Sequence, residues 1–325
     1  MSAIFTIDDL EVEFTTPEGV VNAVNSVSLE VSKGECLAVV GESGSGKSQT
    51  FMAAMGLLAV NGSARGSVQI DGIELLNMDE KRLNNFRGDR ISMIFQDPMT
   101  SLTPHMKVGR QLVEAIIEHR DIDMNAAERQ AVRMLEQVHF SDAKRILNRY
   151  PHELSGGMRQ RVMIAMALIC KPSVIIADEP TTALDVTVQA QIIKLLMEAK
   201  DGLDAAIILI THDLGVVAGL ADRVSVMYSG RVVESGTVED IFYKPSHPYT
   251  EGLLSCTPNL ESNCTELMTI PGQPPNTQDF FAGCSFEPRC SYSSDICKKI
   301  RPVLSIGQGS SFKACHFDST GGRDV

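Results

Sequence analysis

Tryptophan is absent from this sequence, and aromatic residues make up only 5% of it. Aromatic platforms for stacking single-stranded nucleic acid are therefore not expected. An excess of positive charge is also missing: 29 Lys and Arg stand against 41 Asp and Glu, a net charge of −12 and a pI near 5.1. An acidic chain is not drawn as a whole to DNA, RNA or anionic lipid, although a local basic site remains compatible with that balance. Long hydrophobic runs are lacking too. The longest, Phe51–Val60 and Val162–Cys170, fall well short of the roughly 18 apolar residues that cross a bilayer, and read as buried helices. The opening MSAIFTIDDL has no basic region followed by an apolar one, so no secretory signal is expected and the chain is placed in the cytoplasm. Membrane association would then come through a partner. There is no internal repeat and no low-complexity tract.

What is present is an ordinary globular composition, 43% hydrophobic and 22% charged, over 325 residues. That length accommodates two domains, or one large domain with an appendage. Composition shifts near Lys244: the last 81 residues hold 8 of the 14 prolines and 6 of the 8 cysteines. Prolines and turn-rich text such as PGQPPNTQ argue there for a loop-rich appendage over 245–325. Residues 1–244 alternate strand and helix signals. Ile4–Phe14, Val27–Val31, Cys36–Val40, Val174–Ala177 and Ala206–Ile210 read as strands, and Asp222–Tyr228 with Arg231–Ser235 as a closing hairpin. A helix is expected from Gly46, and 107–119 and 125–138 carry helical apolar spacing. This alternation predicts an α/β sheet with functional loops at strand C-termini.

Gly41-Glu-Ser-Gly-Ser-Gly-Lys47-Ser48 matches the phosphate-loop pattern G-x-x-x-x-G-K-S/T between a predicted strand and a predicted helix. Its glycines let backbone N–H groups turn toward phosphate oxygens, and the helix N-terminus adds positive potential. The candidate phosphate-binding residues are Gly41, Ser43, Gly44, Ser45, Gly46, Lys47, Ser48 and Gln49. Lys47 would contact the β- and γ-phosphates and Ser48 would ligate Mg²⁺. The plainer reading, a Gly/Ser turn, does not explain four fixed positions in the context the motif requires.

Val174-Ile-Ile-Ala-Asp178-Glu179 is an apolar strand ending in two acids. Beside a phosphate loop, Asp178 sits where a Mg²⁺ ligand is expected. Glu179, facing differently, is placed to orient or deprotonate a water. Ser155-Gly156-Gly157 precedes a helix with Val162, Ala165, Met166 and Ile169 on its apolar face. With Ser155 as N-cap, it makes a second candidate anion site. Thr182-Ala-Leu-Asp185 follows the acids, and Ile210-Thr-His212-Asp213 ends another buried strand. A lone histidine is usually structural, but this one shares the sheet edge with the acids.

Taken together, these segments resemble an ATP-binding cassette (ABC) protein. The order is Walker A at 41–48, a Q-loop at Phe95-Gln96-Asp97-Pro98, the signature at 154–161, Walker B at 174–179, the D-loop at 183–186 and the His switch at 212. The resemblance covers about residues 4–240. It implies a P-loop NTPase core of RecA type, an antiparallel β region and an α-helical subdomain at about 98–170. It implies cassettes paired head to tail around two ATP molecules, with Ser155, Gly156 and Gly157 serving the nucleotide across the pair and Asp185 of the D-loop among the nucleotide-binding residues. It assigns Glu179 as general base and His212 as the contact to γ-phosphate. Gln96 would sense Mg²⁺ and the attacking water. Phe14 is a candidate to stack on adenine, with a core strand residue as the equal alternative.

The tail narrows the resemblance. Pro245-Ser-His-Pro-Tyr-Thr250, Leu253-Leu254, Ile270-Pro-Gly272 and Pro274-Pro275 are similar to the C-terminal region of ATPases from oligopeptide and dipeptide importers, a region shared by nickel-carrying relatives. This implies two separate permease subunits, a second ATPase subunit in a heterodimer, an extracytoplasmic substrate-binding protein, and a peripheral seat on the cytoplasmic membrane face. No nucleic-acid partner is expected. A non-transport cassette ATPase acting on DNA or ribosomes is the competing reading. Such proteins usually carry two cassettes, coiled-coil insertions or basic arms, and this chain has none of them. A sensor with a vestigial nucleotide site is the third, and the full catalytic set argues against it.

Cys284, Cys290, Cys297 and Cys315 form one cluster near the end of the tail. A cytoplasmic location disfavours a disulfide framework. Four thiolates suit a 4Fe–4S cluster or a Cys₄ zinc site, with gaps longer than the usual zinc pairs; four free thiols are the remaining alternative. The resemblance implies iron–sulfur, because some peptide-importer ATPases carry a cluster at a similar pattern. Cys36 and Cys170 read as core.

Overall fold

A computed structural model of the chain describes residues 3–182, 185–256, 269–275 and 282–317. Residues 183 and 184 of the expected D-loop, and Cys264, lie outside the described residues.

Two sheets organise the fold. Strands β1 (Ala3–Thr16), β2 (Gly19–Ser32), β4 (Gly62–Ile70) and β5 (Ile73–Glu74) make an antiparallel sheet in the order β2-β1-β4-β5. The larger sheet is made of β3 (Cys36–Val40), β6 (Ile91–Ile94), β7 (Val174–Asp178), β8 (Ala206–Thr211), β9 (Arg223–Tyr228), β10 (Arg231–Thr237), β11 (Ser305–Ile306) and β12 (Phe312–Lys313). Its order is β11-β12-β10-β9-β3-β8-β7-β6. The centre, from β9 to β6, is parallel, and β9, β10, β12 and β11 pair antiparallel. Every residue of β3, β7 and β8 is buried, as expected of strands covered on both faces.

Five helices lie between β6 and β7: Pro98–Ser101, Val108–His119, Met124–Gln137, Ala143–Leu147 and Gly156–Leu168. They pack with one face of the parallel strands in a core that includes Leu112, Ile116, Leu135 and Ile164. The opposite face packs on the antiparallel sheet through Phe5, Val12, Val39, Phe51 and Ile208. A third core joins Val40, Val226 and Tyr228 to Tyr249 and Phe286 of the tail. The tail is joined to the cassette by that core and by β12 against β10, among other contacts.

The expected helix over Phe51–Val60 is shorter than the apolar run. Helix Lys47–Ala54 stops before Gly56, whose φ is +62°, and Leu57 and Val60 are exposed. Arg87 donates to the carbonyls of Met55 and Gly56, satisfying two groups the helix end leaves open.

Candidate active site

The phosphate loop leaves β3 and enters helix Lys47–Ala54, as the pattern predicts. Gly41 is required by space as well as by torsion: a Cβ there would lie 2.2 Å from the carbonyl oxygen of Met227, and its φ is +152°. Gly46 has φ +94°, and a Cβ would meet the Ala23 carbonyl oxygen at 2.4 Å. Lys47 is buried, and its Nζ donates to the Gly41 carbonyl (2.7 Å), the Glu42 carbonyl (2.8 Å) and Ser45 Oγ (3.2 Å). Burial lowers the Lys47 pKa, against the opposing pull of Glu179, Asp178 and Glu42. Ser43 and Gly44 are exposed at the loop's tip, and Gln49 is half-buried.

Ser48 donates to Asp178 Oδ1 at 2.9 Å. Asp178 is buried at the end of β7, and burial raises its pKa, with the Ser48 hydrogen bond and Lys47 working against that. A hydroxyl and a buried carboxylate beside a phosphate loop fit Mg²⁺, which takes one or two protein ligands and completes its shell with phosphate and water.

Glu179 has φ +45°, a left-handed conformation rare for a non-glycine residue, which turns it off the strand line that buries Asp178. Its Oε2 accepts from Gln96 Nε2 and Thr182 Oγ1, both at 2.8 Å, and its Oε1 lies 3.2 Å from His212 Nδ1. Burial works to raise the Glu179 pKa. The hydrogen bonds of Thr182 and His212, with the charges of His212 and Lys47, outweigh it and hold the carboxyl below its usual range. Gln96, Glu179 and His212, called from three separate segments, are thus brought together. The sequence marks Thr182 only as the start of the segment after the acids; its spacing of three from Glu179 is the signal for this contact.

Ser155 caps helix Gly156–Leu168, accepting from the Met158 N–H at 3.4 Å. Ser155 and Gly156 are exposed, while Gly157 packs against Val188. Among the described residues none of the three bonds to the phosphate loop. Asp185 caps helix Val186–Leu203 through the Val188 N–H at 3.0 Å. Phe14 is half-buried in β1 opposite Val21 and Gly62, packed against the core.

The four tail cysteines line one small cavity with Phe286, Tyr292, His316 and Phe317. Among the described residues, however, no group of three or more His, Cys, Asp or Glu side chains is placed to hold a metal ion. As arranged, the thiols do not form a ligand cage for the expected iron–sulfur cluster. Burial pushes the Cys284 thiol up to about 11.

Comparison with known proteins meets the same features. The ABC transporter family profile matches residues 24–182, and the oligopeptide/dipeptide transporter C-terminal region matches 233–297. The oligopeptide transport ATP-binding protein OppD of Salmonella typhimurium is 53% identical over 97% of this chain and 93% of its own length. The chain belongs to the ATP-binding subunits of the oligopeptide/dipeptide ABC transporter family. It is accordingly an ABC-class ATPase. The dipeptide transport ATP-binding protein DppD of Bacillus subtilis is 47% identical over 97% of this chain and 95% of its own length. In fold, the dimeric post-hydrolysis structure of the ATP-binding cassette MJ0796, bound to ADP and Pi, superposes with a TM-score of 0.65. It is 26% identical and covers 72% of this chain and 98% of that one. The described residues contain no helix long and apolar enough to cross a membrane.

Proposed function

We propose that this chain hydrolyses ATP to energise the uptake of oligopeptides or dipeptides. The observation that carries the reading is that similarity to peptide-transport ATPases runs through cassette and tail alike, over 97% of the chain. The cassette would comprise residues 1–244, with its helical part at about 98–170, and 245–325 would be the extension.

In this reading the loop 41–49 cradles the phosphates, and Ser48, Asp178 and Gln96 hold Mg²⁺. The metal would neutralise charge on the β- and γ-phosphates. Glu179 accepts a proton from the attacking water, and His212 contacts the γ-phosphate. Ser155, Gly156 and Gly157 would serve the nucleotide of a second cassette, which the exposure of Ser155 and Gly156 at the start of helix Gly156–Leu168 supports, and Asp185 would join the nucleotide-binding residues. Phe14 is retained for adenine only as an edge-of-core residue. Partners would be two permease subunits, a second ATPase subunit and an extracytoplasmic binding protein, with the chain peripheral to the cytoplasmic face of the membrane. A nickel or other small-solute importer is the alternative of the same subfamily. Affinity purification of the tagged chain from solubilised membranes should bring down permease subunits and peptide-stimulated ATPase activity. Recovery with ribosomes or DNA instead overturns the reading, and stimulation by nickel alone selects the alternative.

The 4Fe–4S reading rests on convergence of four thiols on one cavity, and on backbone N–H groups of Phe286, Tyr292 and Phe317 directed at Cys284, Cys290 and Cys315. Anaerobic purification with iron, sulfide and zinc assays tests it: iron-free, colourless protein discards it.

A further inference from the structure

The tail reaches the phosphate loop at one residue, Glu42, from two directions. The Arg289 guanidinium grips the Glu42 carboxylate with both prongs, Nη1 to Oε2 at 2.7 Å and Nη2 to Oε1 at 3.0 Å. Tyr249, fully buried, accepts the Glu42 backbone N–H on its hydroxyl at 2.8 Å. On its other side the Glu42 carbonyl accepts from Lys47 Nζ. A residue of the loop is thus pinned at side chain, amide and carbonyl at once.

Arg289 is itself held. Its side chain is only 5% exposed. It donates to the carbonyls of Pro271 (3.1 Å) and Ile270 (3.3 Å), and its guanidinium lies over the rings of Tyr228 (5.8 Å) and Phe286 (6.0 Å). Tyr228, Tyr249 and Phe286 form one aromatic group with centroids 4.6–5.4 Å apart. A planar fork fixed this way presents a carboxylate with one geometry, which a lysine would not do. Arg289 also directly precedes Cys290, so the cysteine segment and the loop are one residue from direct contact.

We propose that Arg289 and Tyr249 are positioning residues of the phosphate loop, so that the tail sets the affinity for MgATP through Glu42. This rests on the ATP-site reading above. The physical reason is preorganisation: Gly41, Gly44 and Gly46 leave the loop few torsional constraints of its own, and holding Glu42 in place removes part of the ordering cost otherwise met on binding. A contact that merely docks the tail would lower thermal stability and leave the affinity of folded protein alone.

The test is equilibrium binding of MgATP to the full-length chain by titration calorimetry. Wild type, Glu42→Gln, Arg289→Gln, Arg289→Lys and the Glu42→Gln/Arg289→Gln double variant are compared. Each glutamine variant should weaken binding by roughly 5-fold or more, the lower end of coupling between linked sites. The double variant should be no weaker than the worse single one, because both break the same contact. Arg289→Lys should recover only part of the loss. Unchanged affinity in folded Arg289→Gln overturns the proposal, and so do losses that simply multiply in the double variant. Should Arg289→Gln fail to fold, Glu42→Gln carries the test, because Arg289 keeps its two carbonyls and Tyr228. Wild type binding no MgATP would overturn both readings. Normal wild-type binding with undisturbed variants overturns this one alone.

Discussion

Replacing Glu179 by glutamine removes one proton-accepting oxygen and changes little else. The carboxylate is one-fifth exposed and its size is kept, so no cavity opens. Its Oε2 accepts from Gln96 and Thr182, which an amide carbonyl can also do. Its Oε1 faces His212 Nδ1, and an amide NH₂ placed there can donate to the neutral imidazole. In the proposed site, the loop that follows β3 would supply the phosphate contacts other than that of His212. Binding of MgATP should therefore survive. The chemical step should slow by about 10²–10⁴-fold, the usual worth of a positioned general base, or about 3–5 kcal/mol of barrier at 1.36 kcal/mol per decade. Single-turnover hydrolysis at saturating MgATP measures the loss, and size-exclusion chromatography with ATP reports whether the variant accumulates as a closed pair. Turnover within about tenfold of wild type would refute the assignment of Glu179 as base. Loss of binding together with hydrolysis would equally refute it, by showing that the carboxylate shapes the site rather than serving the reaction.

Lys47→Ala removes a buried ammonium that spans the loop from the Gly41 and Glu42 carbonyls, and with it the cation that would face the phosphates; MgATP binding by equilibrium dialysis should disappear. Asp178→Asn should raise thermal stability at pH 7 without nucleotide while abolishing the extra stabilisation given by MgATP. Burial raises the Asp178 pKa, so its contribution to stability is full below the ordinary carboxylate value and is lost as pH rises through the raised one. Scanning fluorimetry with and without MgATP reads both effects. His247 is fully buried, and its Nδ1 accepts the Tyr249 N–H at 3.0 Å, which requires a neutral ring. Burial, aided by Lys313, pushes its pKa from 6.5 down to about 3. Its contribution is therefore full above pH 6.5 and fades as pH falls toward 3, a total of about 5 kcal/mol. His247→Asn keeps an acceptor for that N–H and should flatten the acid limb of a melting-temperature profile between these values.

What was legible in the sequence was local. Strands β3, β7 and β8 are apolar up to a terminal Asp178 in β7 and Thr211 in β8, and the motif residues lie at or just beyond their C-terminal ends. The antiparallel sheet was only half visible. Strand β4 reads GSARGSVQI, with two glycines and a charge, and owes its conformation to register with β1 rather than to propensity. Strand β6 is four residues long, too short for a periodic signal. The hairpin of β11 and β12 exists because β10 offers an edge for Phe312 and Lys313, a pairing across more than seventy residues. The same holds at the site. Gln96, Glu179 and His212 were each marked by a motif, whereas Glu42 and Arg289 are 247 residues apart and carry no local pattern that joins them.

The adjacent acids Asp178 and Glu179 show how one strand end serves two chemical needs. Strand alternation sends Asp178 inward to Ser48, where burial disfavours its charge and the Ser48 hydrogen bond and Lys47 only partly offset it. The left-handed turn at Glu179 sends the next carboxylate to the rim, where Gln96, Thr182 and His212 surround it; the bonds from Thr182 and His212, with the nearby Lys47, favour its charge. Environments that drive two neighbouring pKa values apart separate their roles. The first suits a metal ligand, whose burial penalty is relieved when Mg²⁺ arrives. The second suits a proton acceptor that stays ionised throughout the physiological range. Yet each hydrogen bond that stabilises the Glu179 anion also weakens it as a base. Gln96 comes from the segment leading into the helical region, and His212 from the end of β8. On the proposed reading, a movement that draws Gln96 away would remove one donor from the Glu179 carboxylate, and proton transfer would then depend on the position of the helical region.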